Sequence, residues 1–414
     1  MSKSQKEKTS NELLQDYTKI YLATDEKQDE LEVRFGTKYY NTLSKIDFDN
    51  IIEKLKSLGF NTEVQTQDGE YTLNIQNEYS DPKSGRTKMS NIRTTISGLA
   101  AIQQYCKTNN LNKERLKDWK TRQTYTFLQK FPKRVGGRTG DILKPIDFHA
   151  FHFRVNYKTE RKLYENRSEI QRLLEDWKDS KKVFRYIKRF TFVHPDYPFK
   201  VDCSIIKTSK KKKFYIPEYN IQDSKVFNNP ENYEIEIELD NTKIKRGDRF
   251  NSDTEVTDLM TKLKKGIKII LSGWQGTNFP TSFDEQAAVL KQYMALIYGN
   301  ADIPERRPHS GDFIGPSSIS LETKNIIPLS TDSNTPNINN PYTVTDKADG
   351  LRKLLFISKT GRIYLINTNM KVQFTGSTTK HKMCHNTILD GEHVLHDKAG
   401  KFINLYLCFD IYYK

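Results

Sequence analysis

Two short stretches of this chain alternate glutamate with apolar residues, and that alternation restricts the fold more than any other feature. In DELEVRFGT (29–37), Leu31, Val33 and Phe35 share one face of an extended strand, and Glu30, Glu32 and Arg34 share the other. In NYEIEIELD (232–240), Ile235, Ile237 and Leu239 oppose Glu234, Glu236 and Glu238. Same-face neighbours on a strand sit ~7 Å apart, so carboxylates bunched this way repel unless cations face them. The intervening stretches supply cations: NIRTTISG with Arg93, KTRQTYTF with Arg122, FRVNYKTE with Arg154 and Lys158, and FRYIKRFTF with Arg185 and Arg189. FKVDCSIIK follows, with Lys200, Asp202 and Ser204 on one face. Two arrangements satisfy such strands. One is a solvated antiparallel sheet face with Lys and Arg opposite Glu. The other is a divalent cation held by carboxylate oxygens, with the basic strands binding phosphates that it bridges. Strands of this kind also suit a barrel with a charged lumen and an apolar exterior, provided amphipathic helices cover the outside.

The chain carries such helices. Periodicity of 3.6 predicts helices over 44–59, 164–179, 254–272 and 283–298. Residues 299–341, rich in Pro, Ser, Asn and Thr, read as a linker and the entry to a further β-rich segment. No stretch has the ~20 apolar residues that a membrane-spanning helix needs. The N-terminal MSKSQKEKTSNELL lacks the apolar core of a secretory signal and is expected to be a frayed tail. Cys106, Cys203, Cys384 and Cys408 form no CxxC pair, which argues against a zinc site or a disulfide scaffold and fits a reducing compartment. The net charge of +15 points to a polyanionic partner, nucleic acid first. The run Lys210–Lys213 reads as a solvated turn or as a contact for RNA phosphates.

The ExExRFG strand, the terminal ExExE strand and the Arg-x-x-x-Arg and Lys-x-Asp-x-Ser strands between them resemble the triphosphate tunnel metalloenzymes. The resemblance covers roughly residues 28–240 and is to the RNA triphosphatase branch of fungi, protists and large DNA viruses. It implies an antiparallel eight-stranded β-barrel with covering helices. It further implies that Glu30, Glu32 and Glu238 hold Mg2+ or Mn2+ on a γ-phosphate, and that Glu236 orients the attacking water with help from Glu234. Arg93, Lys158, Arg185, Arg189 and Lys200 would bind the triphosphate, supported by Asp202 and Ser204, with Glu160 a further lumen candidate. One departure stands out: Ile187 lies where the family often has a basic residue, with Lys188 beside it.

A second motif lies in TVTDKADGLRK, where Lys347, Asp349, Gly350 and Arg352 form KxDGxR. Leu389-Asp390-Gly391-Glu392 and then Asp410 follow in order. Together the three elements resemble motifs I, III and IIIa of the covalent nucleotidyltransferases. That resemblance implies a Lys347–GMP phosphoamide formed from GTP, with Asp349, Arg352, Glu392 and Asp410 around the nucleotide. Attack on an α-phosphate requires the lysine to lose its proton.

Tunnel glutamates and KADG in one chain resemble the mRNA capping enzymes of large cytoplasmic DNA viruses. The expected α+β layout is a flexible tail (1–27), an RNA triphosphatase barrel (28–298), a linker (299–340) and part of a guanylyltransferase domain (341–414). Its implied partners are the RNA 5′ end and GTP, with a methyltransferase or other capping subunit as a further possibility, and its implied location is the virion or host cytoplasm. The later nucleotidyltransferase motifs and the trailing OB-fold do not occur in these 414 residues. The chain is therefore expected to be a truncated frame or fragment, with a half-domain short of core and no guanylyl transfer of its own. Two other readings stay open: a polynucleotide ligase fragment, and a non-catalytic RNA- or polyphosphate-binding module.

Overall fold

The structure is a computed structural model that describes residues 8–413 except 25–26, 37–41, 64–65, 82–84, 112–124, 137–139, 248, 300–301, 317–319, 329–335, 342–343 and 345–346. Arg122 lies outside the described residues. The chain divides into two compact units, Met1–Gly276 and Thr277–Lys414.

The first unit is built on eight long antiparallel strands: β1 (Asp29–Phe35), β2 (Glu70–Ser80), β3 (Thr87–Ser97), β4 (Tyr125–Pro132), β5 (Phe153–Leu163), β6 (Lys182–Val193), β7 (Phe199–Thr208) and β8 (Asn232–Leu239). They pair in the order β1-β8-β7-β6-β2-β3-β4-β5, and β5 pairs back onto β1 over Asp29–Phe35. This last pairing closes the sheet into an eight-stranded barrel, as the alternating charge pattern leads one to expect. Closure removes the unpaired edges that an open sheet of this size would expose.

The period-2 alternation sends charge inward and apolar groups outward. Leu31, Val33, Ile235, Ile237 and Val201 are buried on the outside, under helices. Helix α1 (Ser10–Ala23) starts at a Thr9/Glu12 capping box and buries Leu14, Tyr17, Tyr21 and Leu22. The expected frayed tail is thus corrected over Ser10–Ala23: the spacing of these four residues gives that segment an apolar face. Helix α2 (Lys45–Ser57) buries Phe48, Ile51 and Leu55. Helix α3 (Leu99–Thr108) places Ala101, Ile102 and Tyr105 on a core with Leu73, Ile75, Ile96, Trp177 and Phe184. Helix α4 (Ser168–Glu175), shorter than predicted, puts Ile170 against Ile92, Phe127 and Leu163.

Helix α5 (Asp253–Gln275), the predicted 254–272 helix, packs against α2. Two of its glycines permit close approach, Gly266 to the barrel strand β7 and Gly273 to α2. A Cβ on Gly266 would lie 2.5 Å from the Phe199 ring, and one on Gly273 would lie 2.8 Å from the Ile51 Cα. Gly273→Val is expected to lower stability by roughly 2–3 kcal/mol, because the clash is with backbone and no rotamer relieves it. Chemical denaturation of the purified variant reads this, and an unchanged midpoint would refute close helix packing there.

The second unit holds helix α6 (Phe283–Tyr298) and a five-stranded antiparallel sheet: β9 (Leu351–Ile357), β10 (Arg362–Asn367), β11 (Val372–Thr378), β12 (Thr387–His396) and β13 (Phe402–Tyr413), in the order β11-β10-β9-β12-β13. Val289, Tyr293 and Met294 of α6 join Leu354, Phe356, Tyr364, Ile366 and Ile388 in one core. Two sequence expectations change here. Helix α6, assigned to the barrel domain, belongs to this unit. Residues of the presumed linker, Ile303, Phe313 and Ile314, pack on the same core. The unit therefore has more core than the segment beyond the linker would supply by itself.

Candidate functional site

Glu30 and Glu32 come from β1 and Glu234, Glu236 and Glu238 from the adjacent β8. In register, Glu32 stands opposite Glu238 and Arg34 opposite Glu236. Strand β7 lies on the other side of β8, with Lys200, Asp202 and Ser204 opposite Glu238, Glu236 and Glu234. Strand β6 brings Arg189 opposite Ser204. The predicted barrel residues thus share one lumen.

Cations meet most of the carboxylates directly. Lys158 Nζ donates to Glu32 at 2.6 Å, and Asn156 donates to the same oxygen at 3.1 Å. Burial works to raise the Glu32 carboxyl, but the Lys158 charge prevails and holds it below the usual range. Glu234 accepts from Arg185 at 2.6 Å and from Arg34 at 2.9 Å. Glu236 is 2.6 Å from Arg34 Nε and 3.9 Å from Arg189. Arg189 also meets Asp202 at 3.0 Å and donates to Ser204 Oγ at 3.2 Å, so Asp202 and Ser204 orient this guanidinium. Lys130 bridges Glu30 at 2.6 Å and Glu160 at 2.8 Å.

Two groups are left over. Among the described residues, no cation stands at ion-pair distance from Glu238, whose in-register neighbour Lys200 reaches Glu63 at 3.0 Å instead. Burial, then the nearby Glu30 and Asp202 charges, push the Glu238 carboxyl up to about 8. Arg93 is the converse case. Its buried Nε has no hydrogen-bond partner, and its nearest carboxylate, Glu160, lies 3.8 Å away. Burial, with Arg185 and Arg189 nearby, pulls Arg93 below the ordinary arginine range. A surplus acceptor and a surplus donor in one buried lumen match what a cation and an anion bound together would satisfy.

The oxygen donors Glu30, Glu32 and Glu238 suit a hard divalent cation, and the register places two of them face to face. Among the described residues no three acidic or His/Cys side chains are already gathered as ligands. Lys130 and Lys158 hold Glu30 and Glu32, so a cation would take over charge that the lysines now compensate.

Ile187 sits on the lumen face between Arg185 and Arg189 and is buried, while Lys188 points outward over the rings of Tyr71 and Phe190. Lys188 therefore does not replace a lumen lysine, for alternation sends it to the other face. Sequence reasoning passed over Arg34 and Lys130 as site residues. Arg34 was legible, since it shares a face with Glu30 and Glu32. Lys130 was not, because the alternate residues preceding it on β4, Leu128 and Thr126, are uncharged.

In the second unit the three motifs meet on neighbouring strands. Arg352 of β9 stands opposite Glu392 of β12, and Asp410 of β13 stands opposite Asp390. Lys347 precedes β9, exposed to solvent, and pairs with Asp349, which raises its ammonium above the ordinary lysine range. Asp410 is exposed and accepts from the Ile411 N–H at 2.8 Å. The residue given no role from sequence, Asp390, is fully buried; it accepts from Arg352 Nε at 3.1 Å, from Arg352 Nη2, and from Tyr412 Oη at 2.6 Å. It fixes the direction of Arg352.

Comparison with known proteins adds the following. Residues 249–413 match the family described as mRNA capping enzyme, catalytic domain. A probable mRNA-capping enzyme of Acanthamoeba polyphaga mimivirus is 29% identical over 182 residues, which is 44% of this chain and only 12% of that protein. Among solved structures, the mimivirus capping enzyme triphosphatase gives a TM-score of 0.36 at 17% identity, covering 63% of this chain and 94% of that one. The S. pombe Pct1 RNA triphosphatase gives 0.35 at 11% identity, covering 64% and 94%.

Proposed function

We propose that this chain acts in mRNA 5′-cap formation, with the barrel removing the γ-phosphate from triphosphate-ended RNA in the presence of Mg2+ or Mn2+. The observation that carries this reading is the pair of unmatched groups in the lumen, the carboxylate of Glu238 and the Nε of Arg93. A divalent cation on Glu30, Glu32 and Glu238 supplies neutralisation of the phosphate oxygens when bound. Arg93, Arg185, Arg189, Lys158 and Lys200 bind the triphosphate and align it. Glu236, steered by Arg34, orients a water in line with the γ-phosphate, and Glu234 keeps Arg34 and Arg185 in place. Phosphoryl transfer of this type needs positioning and charge stabilisation more than covalent help.

For the second unit the proposal is GTP-dependent guanylyl transfer through Lys347. Asp349 would accompany the nucleophile, Arg352 and Glu392 would contact the ribose, and Asp410 would help to hold a divalent cation if one binds there. The support is the motif order, the register that sets Arg352 beside Glu392, and the family match over 249–413. Lys347 must shed the proton that Asp349 favours before it attacks, so its pairing with Asp349 must loosen when the nucleotide binds.

The test is release of labelled γ-phosphate from triphosphate-ended RNA by the purified chain, with Mn2+, with Mg2+ and with EDTA. Release that depends on the added cation is expected. RNA binding without turnover under all three conditions would reduce the barrel to a non-catalytic binding module.

A further inference from the structure

The connection between β7 and β8 contains KKKKFYIPEY (210–219), which neither proposed reaction uses. It is an ordered turn. The Lys212 N–H donates to the Phe214 carbonyl at 3.0 Å, the Ile216 N–H donates to the Lys210 carbonyl at 2.8 Å, and Lys211 bridges Tyr215. Lys210, Lys211, Lys212 and Lys213 are all exposed, and among the described residues no carboxylate pairs with any of them. Three aromatic residues stand open beside them: Phe214 is 75% exposed, Tyr219 52% and Tyr215 40%. Ammonium groups attend each ring, Lys213 at Phe214, Lys211 at Tyr215 and Lys181 at Tyr219.

A solvated turn needs the lysines but not the rings, since a ring left in water forgoes the stabilisation that burial would give. Cations without a carboxylate partner, interleaved with solvent-exposed rings, suit a strand that offers phosphates and bases in turn. The location agrees. Thr208, the last residue of β7, lies opposite Arg185, so the turn leaves the barrel at the Arg185 end. Glu30 and Glu238 lie toward the other end, at the start of β1 and the end of β8. A triphosphate with its γ-phosphate at these carboxylates and its inner phosphates toward Arg185 delivers its nucleoside on the side of the turn.

We infer that the 210–219 turn is a docking surface for single-stranded RNA, holding the nucleotides that follow a 5′ end seated in the lumen. The identity of that end rests on the triphosphatase reading; the docking surface itself is tested without turnover. Fluorescence anisotropy of the full chain is measured with a 5′-hydroxyl oligouridylate of about 10 nucleotides, within the usual span of such sites, at several KCl concentrations. Two variants are compared: Phe214→Ala with Tyr215→Ala, and Lys210→Gln, Lys211→Gln, Lys212→Gln and Lys213→Gln together. Their side chains lie in solvent, and circular dichroism verifies the fold. Each variant is expected to bind about tenfold or more weakly. The lysine variant is also expected to show a shallower salt dependence, by about 0.7 in log–log slope for each phosphate that the turn no longer neutralises. Hydrolysis of free GTP stays at the wild-type rate in both. Wild-type affinity in both variants overturns the inference, as does binding to phosphatidylserine vesicles with none to the oligonucleotide. If the wild type hydrolyses no nucleotide yet binds RNA through this turn, the triphosphatase reading falls and the docking surface stands.

Discussion

Glu32→Ala and Glu238→Ala are each expected to reduce γ-phosphate release by about 10²–10³-fold or more, the scale seen when one group that stabilises transition-state charge is lost. The two variants should differ in stability. Removing Glu32 leaves Lys158 and Asn156 without their acceptor inside the lumen, so Glu32→Ala should also unfold more readily. Glu238 has no such partner among the described residues. Its carboxyl is held up to about 8 in the folded chain, against a reference of 4.5. A raised carboxyl means that the folded state binds the proton more tightly, so its contribution to stability is lost as pH rises from about 4.5 to 8. In EDTA at pH 8, Glu238→Gln should therefore be more stable than the wild type while remaining inactive. Phosphate-release assays and denaturation at pH 5 and pH 8 read both halves. Wild-type turnover in either alanine variant would remove these residues from the reaction.

Asp390→Ala is expected to destabilise the second unit by roughly 2–3 kcal/mol. Breaking a fully buried ion pair costs about 3–5 kcal/mol, and the figure is lower here because the Arg352 side chain keeps 27% of its surface in water. For a unit of this size the unfolding midpoint should fall by roughly 5–10 °C. Asp390→Asn, which still accepts from Tyr412, should be destabilised less. Calorimetry of the purified variants against the wild type reads the shift. Wild-type stability in Asp390→Asn would show that Arg352 gains nothing from the charge of Asp390.

Much of the barrel was readable in one dimension because side-chain direction along a strand depends only on neighbours two residues apart. That local rule placed Glu30, Glu32, Glu234, Glu236, Glu238, Arg185, Arg189, Lys200, Asp202 and Ser204 on the charged faces. The same rule put Lys188 outside and Ile187 inside. Helical spacing likewise located α2, α5 and α6, since a buried stripe repeats every 3.6 residues. It did not assign α6 to a unit, because an apolar stripe states that a face is covered and not by what.

Pairing was decided by the tertiary structure. Whether Lys158 serves a phosphate or Glu32 depends on β5 closing against β1, strands far apart in sequence. Arg34 bridging Glu234 and Glu236, Lys130 bridging Glu30 and Glu160, and Asp390 bracing Arg352 follow from register between strands, which no local pattern encodes. The glutamate alternation by itself determined that a charged face must exist and which residues line it. Only barrel closure decided which charges cancel, and so left the Glu238 carboxylate and the Arg93 Nε, among the described residues, without a partner in the lumen.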